Sequence, residues 1–159
     1  MPDSLGLESG TVRVVEYDAL WPGLFAAEAS RITAIIRPLT LALEHVGSTA
    51  APGLAAKPIV DILAACPDTD LAPSVTALCV ADYEHRGEQG IPGREFFRRG
   101  RPRAYHVHLT HAGSQFWRDH MDFRSILRSD SQRRDAYGRL KRELAARHPR
   151  DREAYIEGK

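Results

Sequence analysis

The stretch LALEHVGSTAAPGLAAKPIVDILAA, residues 41–65, decides the fold. It holds two apolar runs of strand length, Leu41–Val46 and Pro58–Ala65, joined by the Gly/Ala/Pro loop GSTAAPGLAAK, which reads as two neighbouring strands of a central sheet. Gly47 and Ser48 follow the first strand directly. Backbone amides at such a turn can face a phosphate, glycine lets the backbone approach without a Cβ, and Ser48 adds a hydroxyl. Asp61 stands inside the second apolar run, where an ionised carboxylate is costly unless it meets a cation, a donor or a cavity.

Working outward, Thr11–Glu16 (TVRVVE) predicts a first strand, and Asp18 predicts the cap of a helix running to about Arg37. Leu20, Leu24, Ala27, Ile32, Ile35 and Ile36 place an apolar stripe on that helix. Residues 70–81 predict a second helix, and Arg94–Arg99 with Ala104–Thr110 predict a hairpin around Gly100-Arg101-Pro102. Residues 114–127 and 130–147 then carry apolar groups at helical spacing before Pro149. The fold class is therefore α/β (α+β), a mixed central sheet flanked by helices with a helical C-terminal third. Residues 1–10 are expected to be flexible and 11–159 to form a single domain.

At 159 residues with 43% hydrophobic content, the chain can bury one sizeable core. Lys and Arg number 22 against 21 Asp and Glu, so the net charge of +1 gives no global attraction to nucleic acid or an anionic membrane. Any polyanion site is local, no membrane partner is expected, and nucleic acid is less favoured than a small phosphate ligand. Cys66 and Cys79 lack the spacing of zinc or redox pairs and read as buried thiols. With no signal-like N-terminus and no run of bilayer length, a cytoplasmic location is expected.

The histidines add a second chemistry. His106 and His108 stand two apart in AYHVHLT, so on a strand they share a face, and beside Asp61 they would form a cluster. Two imidazoles and a carboxylate suit Zn²⁺, Mn²⁺ or Fe²⁺ better than Mg²⁺, with His45 as a further ligand or general base. His85, His111, His120 and His148 lack paired spacing and read as surface or cap residues. Lys57 closes the loop ahead of Asp61 and can reach a phosphate at Gly47, and Arg98 lies in a basic, aromatic rim with Arg94, Arg99, Arg101, Arg103, Phe96 and Phe97.

The blocks EHVGSTAAPGLAAKPIVDI (44–62), EFFRRG (95–100), YHVHL (105–109) and LKRELAARHPRDREAYIEGK (140–159) closely resemble the GrpB family of nucleotidyltransferase-fold proteins. That resemblance, running from about Val14 to Lys159, implies a small mixed sheet flanked by helices and directs Lys141 of the tail toward the site. In the wider superfamily a Gly-Ser turn precedes a strand with two acids one apart, which hold divalent metal while a nucleoside triphosphate is bound. Gly47, Ser48 and Asp61 match this pattern, whereas Leu63 occupies the second acidic position and residues 104–110 contain no acid.

Three functions follow as expectations. The first is binding of a nucleotide or phosphate compound with a divalent metal (Mg, Mn or Zn), with nucleotidyl or phosphoryl transfer from a nucleoside triphosphate. The second is an inactive binding or regulatory domain linked to coenzyme A metabolism, implied by family members fused to dephospho-coenzyme A kinase. The third is metal-dependent phosphoester hydrolysis. A GxxxxGK phosphate loop and a GxSxG elbow are both absent, which argues against P-loop kinases and serine hydrolases.

Overall fold

In the computed structural model, which describes residues 5–159, five strands form one sheet in the order β1-β2-β5-β4-β3. The strands are β1 (Ala42–Val46), β2 (Val60–Cys66), β3 (Glu84–His85), β4 (Glu95–Arg99) and β5 (Tyr105–His111). β1 pairs antiparallel with β2, β2 parallel with β5, and β5 antiparallel with β4. The parallel pair needs a crossover, which α2 (Asp68–Val80) and the β3–β4 hairpin supply.

Period-two alternation divides the sheet into two chemically different faces. Val60, Ile62, Ala64 and Cys66 of β2, Tyr105, Val107 and Leu109 of β5, and Phe97 of β4 belong to the main core. Packed with them are Trp21, Ile32 and Ile36 of α1 (Trp21–Ile36) and Leu78 of α2. The residues between, Asp61, Leu63, His106, His108 and Phe96, face the other way, toward α3 (Gln115–Ser129), α4 (Ser131–Arg147) and α5 (Arg152–Gly158). Each of these helices starts on a capping side chain. Ser114 accepts from the Trp117 amide (3.1 Å), Asp130 from Arg133 (3.0 Å) and Asp151 from Ala154 (3.1 Å).

The structure differs from the sequence expectations in several places. Thr11–Glu16 forms no sheet strand: Val15 makes one bridge to Ala56, and the Val12 amide donates to the Pro149 carbonyl (2.8 Å) while its side chain packs on Leu144 and Tyr155. Its branched residues serve loop-to-loop closure. The flexible segment expected over residues 1–10 lies outside the described residues only for 1–4. Leu5 and Leu7 are buried, Gly6 donates to the Pro58 carbonyl (2.8 Å) and Leu7 bridges Arg103, so residues 5–7 are anchored. Asp18 caps the turn ahead of α1, its carboxylate accepting from the Leu20 amide (2.8 Å). Cys66 is buried as expected, but Cys79 is exposed. Among the described residues no helix is long and apolar enough to cross a membrane.

Candidate phosphate-binding site

The turn after β1 and the second residue of β2 are built against one another. Gly47 adopts φ +75°, and a Cβ there would lie 2.7 Å from Asp61 Oδ2, so conformation and space both demand glycine. Ser48 opens a 3-10 turn, Ser48–Ala50, which Arg128 of α3 secures by donating from Nε to the Ala50 carbonyl (2.8 Å).

Asp61 is met from the neighbouring strand by both histidines of the YHVHL motif. Parallel pairing sets His106 beside Asp61 and His108 beside Leu63. His108 Nε2 lies 3.0 Å and His106 Nδ1 3.5 Å from Asp61 Oδ1. Burial alone would raise the carboxyl's pKa, but hydrogen bonds from His106 and His108 outweigh it and hold Asp61 far below the usual carboxylate range.

Arg94, itself buried, places Nη1 3.4 Å from His108 Nδ1 while its other nitrogens donate to the Glu88 and Gln89 carbonyls. A guanidinium only donates, so His108 Nδ1 accepts and its proton sits on Nε2, aimed at Asp61. Burial depresses the pKa of His106, whose Nε2 is buried without a hydrogen-bond partner among the described residues.

Opposite this acidic corner stand cations. Lys141, on α4, is 1% exposed, and its Nζ has no hydrogen-bond partner among the described residues, lying 4.6 Å from the centre of the Tyr137 ring. Burial, aided by repulsion from Lys159 and Lys57, lowers its pKa to about 7. Lys57, 5.3 Å over the Tyr155 ring, is lowered by burial to about 8. Together with Gly47, Ser48, Arg152 and Lys159 these residues line a cavity of about 310 Å³ that also reaches Asp61, His106 and His108.

The structure thus gathers Gly47, Ser48, Lys57, Asp61, His106, His108 and Lys141 around one space, and leaves out two residues expected there. His45 is one position away from Val46, the partner of Asp61, so the pleat turns it to the opposite face. There it stacks on Phe25 (4.9 Å) and bonds Thr49 Oγ1 (2.9 Å), and burial pulls its pKa to about 4. It is a core histidine, not a general base. Arg98 pairs with His106 across the strands, but its side chain runs into a separate groove with Arg101 and Arg103. Conversely His120, read as a surface residue, lines the cavity together with Tyr137 and Arg152. Its spacing of four from Phe116 and three from Phe123, one face of a helix, was the available signal.

The donor set does not fit a metal centre resident in the protein. Leu63 is fully buried where a second carboxylate would stand, and both nitrogens of His108 are engaged by Arg94 and Asp61. Among the described residues no three His, Cys, Asp or Glu side chains gather in metal-holding geometry.

This sheet with its flanking helices is the nucleotidyltransferase fold. The Cid1 poly(U) polymerase with MgGTP bound superposes with a TM-score of 0.59 over 84% of this chain and 45% of that one, at 14% identity, a likeness of fold alone. The chain belongs to the GrpB family: the family described as GrpB protein matches residues 11–159. The crystal structure of the conserved protein GrpB from Enterococcus faecalis is 35% identical, with a TM-score of 0.83 over 91% of this chain and 90% of that one. Among sequence relatives, the UPF0157 protein YqkA of Bacillus subtilis is 35% identical over 93% of this chain, and a UPF0157 protein of Pseudomonas aeruginosa 39% identical over 93%. The chain spans 44% and 63% of the lengths of these two relatives.

Proposed function

We propose that the cavity binds a nucleotide or related phosphate compound, with nucleotidyl or phosphoryl transfer as the associated reaction. The observation that carries this reading is Lys141: a buried amine without a hydrogen-bond partner among the described residues, in a cavity shared with Lys57 and the Gly47-Ser48 turn, is a site waiting for an anion. The Gly47-Ser48 turn offers amides and a hydroxyl to a phosphate. Lys57 and Lys141 offset its charge and any charge developing on a leaving pyrophosphate. Asp61, kept anionic by its histidines, repels bare phosphate and so favours one that brings a divalent cation, which would supply charge neutralisation between them.

A second reading, a binding domain without turnover, is favoured by Leu63, since the two-metal form of transfer calls for a second carboxylate that this face does not present. Hydrolysis, for which His45 or His106 would carry the proton, keeps only His106 on this face.

Calorimetric titration of chelator-treated protein with ATP, CTP and inorganic triphosphate, with and without Mg²⁺, Mn²⁺ or Zn²⁺, tests the proposal. Asp61→Asn should tighten metal-free binding, by removing a like charge, and weaken metal-dependent binding by about tenfold. A wild type that binds none of these phosphates under any condition would sink the reading. Binding without product in any acceptor screen would select the non-catalytic domain.

A further inference from the structure

The cavity changes character along its lining. Phe116, His120 and Phe123 of α3 lie on one helical face, spaced by four and three residues. The first two are half-buried against one another: their ring centroids are 4.0 Å apart, and Phe116 also lies 5.8 Å from His108. Phe123 is not. It is 44% exposed and touches Tyr137 edge to face, with centroids 5.8 Å apart and planes at 78°. From α5, Ile156, 43% exposed, lines the same cavity. Two large apolar side chains from different helices are therefore left partly to water on the lining of a cavity that also holds Lys57, Lys141 and Asp61, an arrangement that suits a ligand with one apolar and one anionic end.

Tyr137 connects the two regions. One neighbour of its ring is the Lys141 ammonium at 4.6 Å and another is Phe123 at 5.8 Å, so cation and aromatic ring are separated by no more than those two lengths end to end. A pentose with its phosphate chain bridges such a gap.

We infer that Phe123, on a cavity that Ile156 also lines, seats a planar aromatic base, so that the ligand is a nucleotide rather than a sugar phosphate or a simple polyphosphate. This inference rests on the phosphate-binding reading and adds the substrate class to it. Aromatic–base stacking tolerates every base, because each has a π-face, so Phe123 sets the requirement for a base and not its identity.

Calorimetry with three kinds of probe, inorganic triphosphate, ribose 5-triphosphate and each of the four common ribonucleoside triphosphates, separates the two claims, all in Mg²⁺. Wild type should bind at least one nucleoside triphosphate about tenfold tighter than ribose 5-triphosphate. Phe123→Ala should erase that increment while leaving the affinity for inorganic triphosphate in place, and Phe123→Trp should preserve it. Phe123 is exposed enough for these variants to fold, and the retained triphosphate affinity reports that they have. Equal affinity of the wild type for ribose 5-triphosphate and for every nucleotide, or an equal loss for all probes in Phe123→Ala, overturns the base seat while leaving phosphate binding standing. Failure of every probe to bind wild type overturns both.

Discussion

At position 47 the backbone leaves no room for a methyl group, because φ is +75° and Asp61 Oδ2 lies where a Cβ would stand. Gly47→Ala should therefore lower unfolding free energy by about 1–3 kcal/mol through strain and displacement of the carboxylate. Urea denaturation reads this directly, and an unchanged midpoint would show that turn and carboxylate separate freely. Much of the site was legible at this scale. A carboxylate inside an apolar strand announces a partner, and alternation placed His106 and His108 on one face. His45 was misplaced, because nearness to Gly47 in sequence does not say which side of the pleat faces the cavity. Lys141 was legible only through family resemblance: nothing in a lysine on a charged helix tells that Nζ ends in a cavity without a partner.

At the scale of elements, α3 does more than cover the sheet. Arg124 reaches the Glu44 carboxylate (2.7 Å) and the His45 carbonyl (3.0 Å), while Arg128 holds the 3-10 turn that follows Gly47. The turn after β1 is thus secured from a helix some eighty residues away in sequence. Arg124→Ala should cost about 1–2 kcal/mol, since one of the two bonds is charge-assisted but partly solvated. It should also raise amide hydrogen exchange in residues 48–51 above that of β2. Exchange confined to α3 would show that the helix frays without disturbing the turn. Helix positions were readable from capping residues and apolar spacing, whereas Thr11–Glu16, with equally good strand chemistry, found its backbone partners in the loops at Ala56 and Pro149. Strand propensity describes a surface that can pair, and only the assembled fold supplies the edge.

Across the whole molecule, charge at the site is set by segments far apart: Lys57 from the loop, Lys141 from α4, Arg152 and Lys159 from the tail, and Asp61 from β2. Burial lowers Lys141 to about 7 and Lys57 to about 8, so both amines are charged in the acid range and increasingly neutral above it. Anion binding should weaken as pH rises through this window, and because a bound anion favours the protonated forms, binding there takes up protons. Inorganic triphosphate gains negative charge as pH rises, which by itself would strengthen binding, so an affinity about tenfold lower at pH 9 than at pH 6 would identify the lysines as the cause. Lys141→Met should flatten the profile. A profile that rises with pH would assign recognition to the backbone turn and Arg152.

The sequence by itself determined the α/β class, the strand pair around residues 41–65, the family, and the residue types brought to the site, because these follow from periodicity, turn chemistry and a multi-block resemblance. The tertiary structure decided which of those residues meet. Register across the β2–β5 pair placed His106 and His108 on Asp61, and the pleat sent His45 into the core. Packing of three C-terminal helices buried Lys141, opened Phe123 and brought in His120. Desolvation and hydrogen-bond partnership depend on neighbours distant along the chain, and it is these that gather a carboxylate, two imidazoles and two amines around one cavity.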